Sequence, residues 1–185
     1  MAEEPAQRRL AAILAADVVG YSRLMEQNEA ETFERLRAHR KELFEPEIDK
    51  HQGRIFKLVG DGLMAEFASV VNAVECALTL QRGMAERNVG LSDSRRIDVR
   101  IGINLGDVMV EGSDLYGDGV NVAARLEALA DPGSVVISGT VFNHVRGKVK
   151  FGFEDLGERQ LKNIAEPVHV YRLRSGGEAA MARPA

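Results

Sequence analysis

The chain has no tryptophan and a single cysteine, Cys76, so no internal disulfide can staple it and its stability has to come from packing. Cys76 sits inside the apolar pattern from Val70 to Leu80 and reads as a small core residue. Long hydrophobic runs are missing too. No stretch approaches the roughly 20 apolar residues of a membrane helix, and Met1-Ala-Glu-Glu-Pro5 lacks the basic and apolar regions of a signal peptide. A soluble, cytoplasmic chain without membrane contact is therefore expected. A basic surplus is also absent: 24 Lys and Arg stand against 28 Asp and Glu, and no cationic run exceeds the pairs Arg8-Arg9 and Arg95-Arg96. That balance argues against a nucleic-acid partner, which would need a basic face.

Several catalytic signatures are missing. His39, His51, His144 and His169 show no metal-ligand spacing, and there is no Gly-x-Ser-x-Gly elbow. Gly147-Lys148 is followed by Val149 rather than Ser or Thr, which removes a phosphate-binding P-loop. Gly117 and Gly119 do not extend into a dinucleotide fingerprint, because Val122 stands where its third glycine belongs.

What is present is 185 residues at 45% hydrophobic content, enough for one domain with a substantial core but short for two. Residues 10–174 are expected to form it, with 1–9 and 175–185 as flexible tails. Ala11 to Val19 is an apolar run that reads as a buried strand. The segment from Asn28 to His51 carries Phe33, Leu36, Leu43 and Phe44 at helical spacing, with Pro46 as a kink or early stop. Residues 54–67 read as a hairpin around Gly60-Asp61-Gly62, and Ser69 caps a helix running to about Arg87. Ile97 to Leu105 alternates cleanly, and Gly106-Asp107 is expected to turn it into Val108–Val110 as a second hairpin. A helix over Val120–Ala130, a strand at Val135–Ile137, a short helix at Thr140–Val145 and strands at 149–156 and 168–173 follow, with 160–163 as an edge or loop. The order predicts an α+β fold, a mostly antiparallel sheet with helices on one face.

Two acids stand out. Asp17 closes the first apolar run and Asp61 sits at the tip of the first hairpin. Singly, each has an ordinary explanation as a turn residue. As a pair beside a dry core they need a counter-charge, hydrogen bonds or a cation, and two divalent ions would supply it. A third group, Asp114-Leu-Tyr-Gly-Asp-Gly-Val-Asn-Val-Ala-Ala-Arg125, places Asn121 and Arg125 four residues apart and so on one helical face, an amide and a guanidinium fit to clamp a phosphate.

Three separated motifs, in order, resemble the catalytic domains of the class III adenylyl and guanylyl cyclases: Ala16-Asp-Val-Val-Gly-Tyr-Ser22, Phe56-Lys-Leu-Val-Gly-Asp-Gly62, and Asp114 through Arg125. The resemblance runs over nearly all of Leu10 to Leu173, and the short Gly106–Asp114 stretch is similar to a bacterial subclass with an abbreviated arm. It implies a ferredoxin-like α/β sandwich. It also implies that Asp17 and Asp61 hold two Mg²⁺ or Mn²⁺ ions, that Lys57 and Asp114 read adenine, that Asn121 and Arg125 stabilise the transition state, and that Lys162 meets the triphosphate. ATP is the implied substrate, since guanylyl members typically carry Glu and a small residue where Lys57 and Asp114 stand.

The resemblance further implies a homodimer in which the metal acids of one copy face Lys57, Asp114, Asn121, Arg125 and Lys162 of the other, with any regulatory domain outside these residues. Asp107 stands where some members place a triphosphate-binding Arg. Arg54 and Arg100 are candidate replacements, although each reads better as a cation on a solvated strand face. A catalytically silent nucleotide-binding dimerisation module, a guanylate cyclase and a diguanylate synthase are the competing readings. The complete set of acids, Asn and Arg argues against the first, and the absence of a Gly-Gly-acid-acid-Phe turn argues against the last.

Overall fold

A computed structural model of the chain describes residues 7–174. An apolar residue at every position from Ala11 to Ala16 leaves that strand no polar face, so both of its faces need cover, and it lies at the centre of the sheet. This strand, β1 (Gln7–Val18), is flanked by antiparallel partners on both sides, β3 (Gly62–Phe67) and β4 (Val99–Glu111). With β2 (Gly53–Val59), β5 (Asp114–Tyr116), β6 (Val135–Ser138), β7 (Gly152–Arg159) and β8 (Val168–Arg174), the order is β2-β3-β1-β4-β6-β8-β7, and β5 pairs with the end of β4. Only the β4–β6 pairing is parallel among the described residues.

The two faces of β1 serve two cores. Ala12, Leu14, Ala16 and Val18 belong to the larger one, with Ala73, Val74, Ala77 and Leu80 of α4 (Val70–Asn88), while Ala11, Ile13 and Ala15 pack with Val120 and Ala123 of α5 (Asp118–Leu129). Helices thus cover both faces, and the expectation of helices on one face is corrected. The position of α5 is fixed by Gly102 in β4: a Cβ there would lie 2.3 Å from Glu127 N and 2.7 Å from Ala123 O, so the helix backbone rests directly on the strand. Cys76 is fully buried and burial pushes its thiol up to about 12, which leaves it a core residue.

The expected hairpin at Gly106-Asp107 does not form. β4 runs straight through as 13 residues, because β1 pairs with it continuously from Gln7↔Val110 to Val18↔Val99, holding Gly106 opposite Ala11 and Asp107 opposite Leu10. The chain turns instead at Gly112 (φ 60°) and Ser113, and returns as β5. The same pairing draws residues 7–9, expected within a tail, into β1. Residues 1–6 and 175–185, the rest of the expected tails, lie outside the described residues.

Downstream of β1, Gly20 (φ 69°) starts a short helix, α1 (Tyr21–Gln27), where the sequence reads as a turn. Asn28 then caps α2 (Glu29–His39) by accepting the Glu31 N–H at 3.0 Å. Pro46 does not stop the helix. A π turn over Arg40–Phe44, in which the Glu45 N–H reaches back to Arg40 O, precedes α3 (Glu45–Lys50), and Pro46 falls in the first turn of α3. Ser69 caps α4 by accepting from Asn72 N at 3.1 Å, and α6 (Gly139–Val145) follows β6 as expected.

His39, on α2, reports on the seam with α4. Its Nδ1 lies 3.3 Å from Arg87 Nη1, and Arg87 also donates to Glu42 at 3.0 Å, so Nδ1 accepts and the ring is neutral. Burial first, then the charges of Arg87 and Arg35, hold the imidazole down to about 4. Unfolded chains take up this proton near 6.5. The stability it contributes is therefore whole above that value and is lost as pH falls toward 4. The melting temperature of the wild type should fall more steeply between pH 6.5 and 4 than that of His39→Leu; equal slopes would contradict a buried neutral histidine.

Candidate active site

The two acids marked by the sequence come together at one end of the sheet. Asp17 is the penultimate residue of β1, and Asp61 is the second residue of the two-residue turn between β2 and β3. Gly60 takes the positive φ (55°) that this turn requires at its first central position. Gly62 has a different task. A Cβ on it would fall 2.6 Å from Ala16 O and 3.2 Å from Asp17 Cβ, so only glycine lets the hairpin close against β1. With that approach made, Asp61 Oδ2 accepts the Val18 N–H at 3.2 Å, one residue beyond Asp17.

Asp17 is not left alone. Arg100, directly opposite it in the β1–β4 register, donates to both of its oxygens, Nε to Oδ1 at 3.0 Å and Nη2 to Oδ2 at 2.7 Å. The same Nη2 lies 3.4 Å from Glu127 Oε2 on α5, whose side chain is 13% exposed. Burial, and then the charge and hydrogen bond of Asp17, push the Glu127 carboxyl well above the usual carboxylate range against the pull of Arg100. A cavity of about 160 Å³ opens beside the acids, walled by Phe33, Leu36, Phe44 and Met84.

The remaining sequence-marked residues form two further groups. A bulge between Ile55 and Lys57 re-aims β2, and Lys57 Nζ lies 3.4 Å from Asp114 Oδ1, which also accepts the Leu115 N–H at 2.8 Å. Arg125 Nε donates to Lys162 O at 3.1 Å, tying α5 to the loop after β7, and Asn121 is exposed one turn earlier. No hydrogen bond or ion pair among the described residues joins Asp17 or Asp61 to Lys57, Asn121, Arg125 or Lys162.

Of the two candidate phosphate cations, Arg54 is exposed, as expected, whereas Arg100 is half-buried. Arg54 donates to Glu66 and Ser113 O, both at 2.9 Å, and Arg100 is committed to Asp17. Sequence reasoning missed Arg100 as a partner of Asp17, and missed Glu127 altogether. The clean alternation of β4 placed Arg100 on a face, but only the strand register says what lies across from it.

The donor set fits a divalent cation that arrives with a polyphosphate. Two carboxylates are hard oxygen donors suited to Mg²⁺ or Mn²⁺, yet among the described residues no three His, Cys, Asp or Glu side chains form a cage. Magnesium sites of one or two carboxylates usually take their other ligands from water and substrate phosphates.

The model of the adenylate and guanylate cyclase catalytic domain matches residues 4–175, and the chain belongs to that family. A Rhizobium meliloti protein named "Putative adenylate cyclase 3" is 57% identical over 171 residues, which are 92% of this chain and 29% of that protein. The chain thus spans less than a third of that relative's length. The crystal structure of an adenylate/guanylate cyclase/hydrolase from Silicibacter pomeroyi is 45% identical, with a TM-score of 0.86 over 92% of this chain and 99% of its own. The adenylyl cyclase CyaB of P. aeruginosa, at 24% identity and a TM-score of 0.81 over 95% of this chain and 99% of its own, shares the fold.

Because Gly62 alone permits the contact between hairpin and β1, Gly62→Ala should cost about 1–3 kcal/mol of unfolding free energy through overpacking. It should also abolish any thermal stabilisation that added Mn²⁺ with a nucleoside triphosphate gives the wild type. Retention of both would show that the acids do not depend on this approach.

Proposed function

We propose that this domain is an adenylate cyclase, converting ATP to 3′,5′-cyclic AMP and pyrophosphate at sites shared between two copies of the chain. The observation that carries this reading is the closure of Asp61 onto the Val18 N–H, which sets two carboxylates side by side where a polyphosphate-bound cation would be held. Two Mg²⁺ or Mn²⁺ ions on Asp17 and Asp61 would lower the pKa of the ribose 3′-hydroxyl and neutralise the triphosphate and the departing pyrophosphate. The bond that forms joins O3′ to the α-phosphorus, and the one that breaks releases the β-phosphate oxygen.

The chain's own residues supply recognition and charge. Lys57 and Asp114 set a donor beside an acceptor, matching N1 and the N6 amino group of adenine. Arg125 meets the charge that grows on the α-phosphate, Asn121 orients the ribose, and Lys162 meets the triphosphate. These contributions are electrostatic and positional, so loss of Arg125 lowers turnover more than binding.

The separation of the residues into groups within one copy supports a composite site. Asp17 and Asp61 of one protomer would face Lys57, Asp114, Asn121, Arg125 and Lys162 of its partner, giving a symmetric homodimer two equivalent sites. Cytoplasmic placement fits an ATP-consuming enzyme, and among the described residues no helix is long and apolar enough to cross a membrane. A regulatory domain beyond these residues fits the greater length of the R. meliloti relative.

Purified protein with Mn²⁺ should convert ATP to cyclic AMP well in excess of GTP to cyclic GMP. Asp17→Ala and Arg125→Ala should each be inactive, and mixing them should restore activity, because one site of the mixed dimer inherits both defects and the other neither. Wild type that binds ATP and forms no cyclic product would overturn the proposal; no recovery despite confirmed subunit exchange would overturn the shared site.

A further inference from the structure

We propose that Arg100 stands in for a cation at Asp17 and moves onto Glu127 when a metal arrives, which makes Glu127 a positioning residue for metal loading. The inference rests on the reading above that Asp17 binds a divalent ion. Arg100 engages both oxygens of Asp17, at 3.0 and 2.7 Å, so an ion approaching that carboxylate from the same side competes with the guanidinium for it. A guanidinium released in a half-buried position needs another acceptor, since burying a charge without one is costly.

One acceptor is already within reach. Glu127 Oε2 lies 3.4 Å from the same Nη2, and a charge-assisted hydrogen bond of the usual length requires a movement of about half an ångström. Arg100 Nη1 also approaches Ala128 O at 3.4 Å, so the guanidinium is tied to the last turn of α5. Among the described residues Glu127 has no cationic partner other than Arg100, and it is more buried than Asp17, at 13% against 23% exposure. This enclosed carboxyl shares its one arginine with Asp17, and the seat of α5 on Gly102 is a separate backbone contact.

The exchange keeps each charge paired. Before loading, Arg100 serves Asp17. After it, the metal serves Asp17 and Arg100 serves Glu127, which the guanidinium already approaches at 3.4 Å. A static alternative exists in which Arg100 remains on Asp17 throughout and Glu127 merely borders the pair. The two differ in what Glu127 does to metal affinity.

The test is a titration of the full chain with the Mn²⁺ complex of α,β-methylene-ATP, which cannot be cyclised, followed by the electron paramagnetic resonance of the unbound complex, with folding checked by thermal melts. Binding is expected in the wild type and lost in Asp17→Asn. Glu127→Gln should weaken it about tenfold, the scale of outer-shell changes at metal sites. Glu127→Asp should largely retain it, and Arg100→Met, which removes the competitor, should bind the complex more tightly than wild type. The double variant Arg100→Met/Glu127→Gln should return to at least wild-type affinity, because without the guanidinium Glu127 has nothing to receive. Wild-type affinity in Glu127→Gln, or weaker binding in Arg100→Met, overturns the exchange and leaves the metal reading standing. Equal binding by wild type and Asp17→Asn overturns the metal reading itself, and the exchange with it.

Discussion

A hydrogen bond from the Val18 N–H to Asp61 Oδ2 ties the hairpin tip to the end of the central strand, and the proposed chemistry of the domain depends on it. The end of β1 and the turn between β2 and β3 each deliver one carboxylate to the same end of the sheet, joined by a contact that spans 43 residues from Val18 to Asp61. The contact exists because Gly62 has no side chain, and because β1 is held from both edges and covered on both faces, which leaves its end no freedom to drift. A rigid core strand thus ends in a charged residue, and the cost of that charge beside dry packing is met by Arg100 across the sheet.

Much of this arrangement was legible in the sequence. An unbroken apolar run ending in Asp17 and a Gly-Asp-Gly tip between two strand-like segments mark both acids without any knowledge of pairing. The four-residue interval from Asn121 to Arg125 places them on one face of α5, and Ser69 is seen to cap α4. In each of these cases the signal is local, resting on periodicity, capping or turn chemistry over a few residues.

What escaped was set by contacts distant in sequence. Gly106-Asp107 has turn composition, but pairing with Leu10 and Ala11 holds it extended, and tertiary pairing overrides local preference. The placement of α5 on the second face was implicit in the doubly apolar β1, yet only the buried Ile13 and Ala15 contacts show where that face points. Arg100 and Glu127 carry no local mark at all. One becomes meaningful through strand register and the other through the approach of α5 over Gly102, so the electrostatic setting of Asp17 is a property of the folded sheet rather than of any motif.

The central claim is that Asp17 and Asp61 jointly hold the cations that a nucleotide triphosphate brings with it. Crystals grown with Mn²⁺ and α,β-methylene-ATP, which cannot be cyclised, test it most directly through the anomalous scattering of manganese. Two manganese peaks within bonding distance of both the Asp17 and Asp61 carboxylates are the predicted result. A bound nucleotide whose manganese sits elsewhere, with Asp17 still paired to Arg100 and Asp61 only on the Val18 amide, would contradict it.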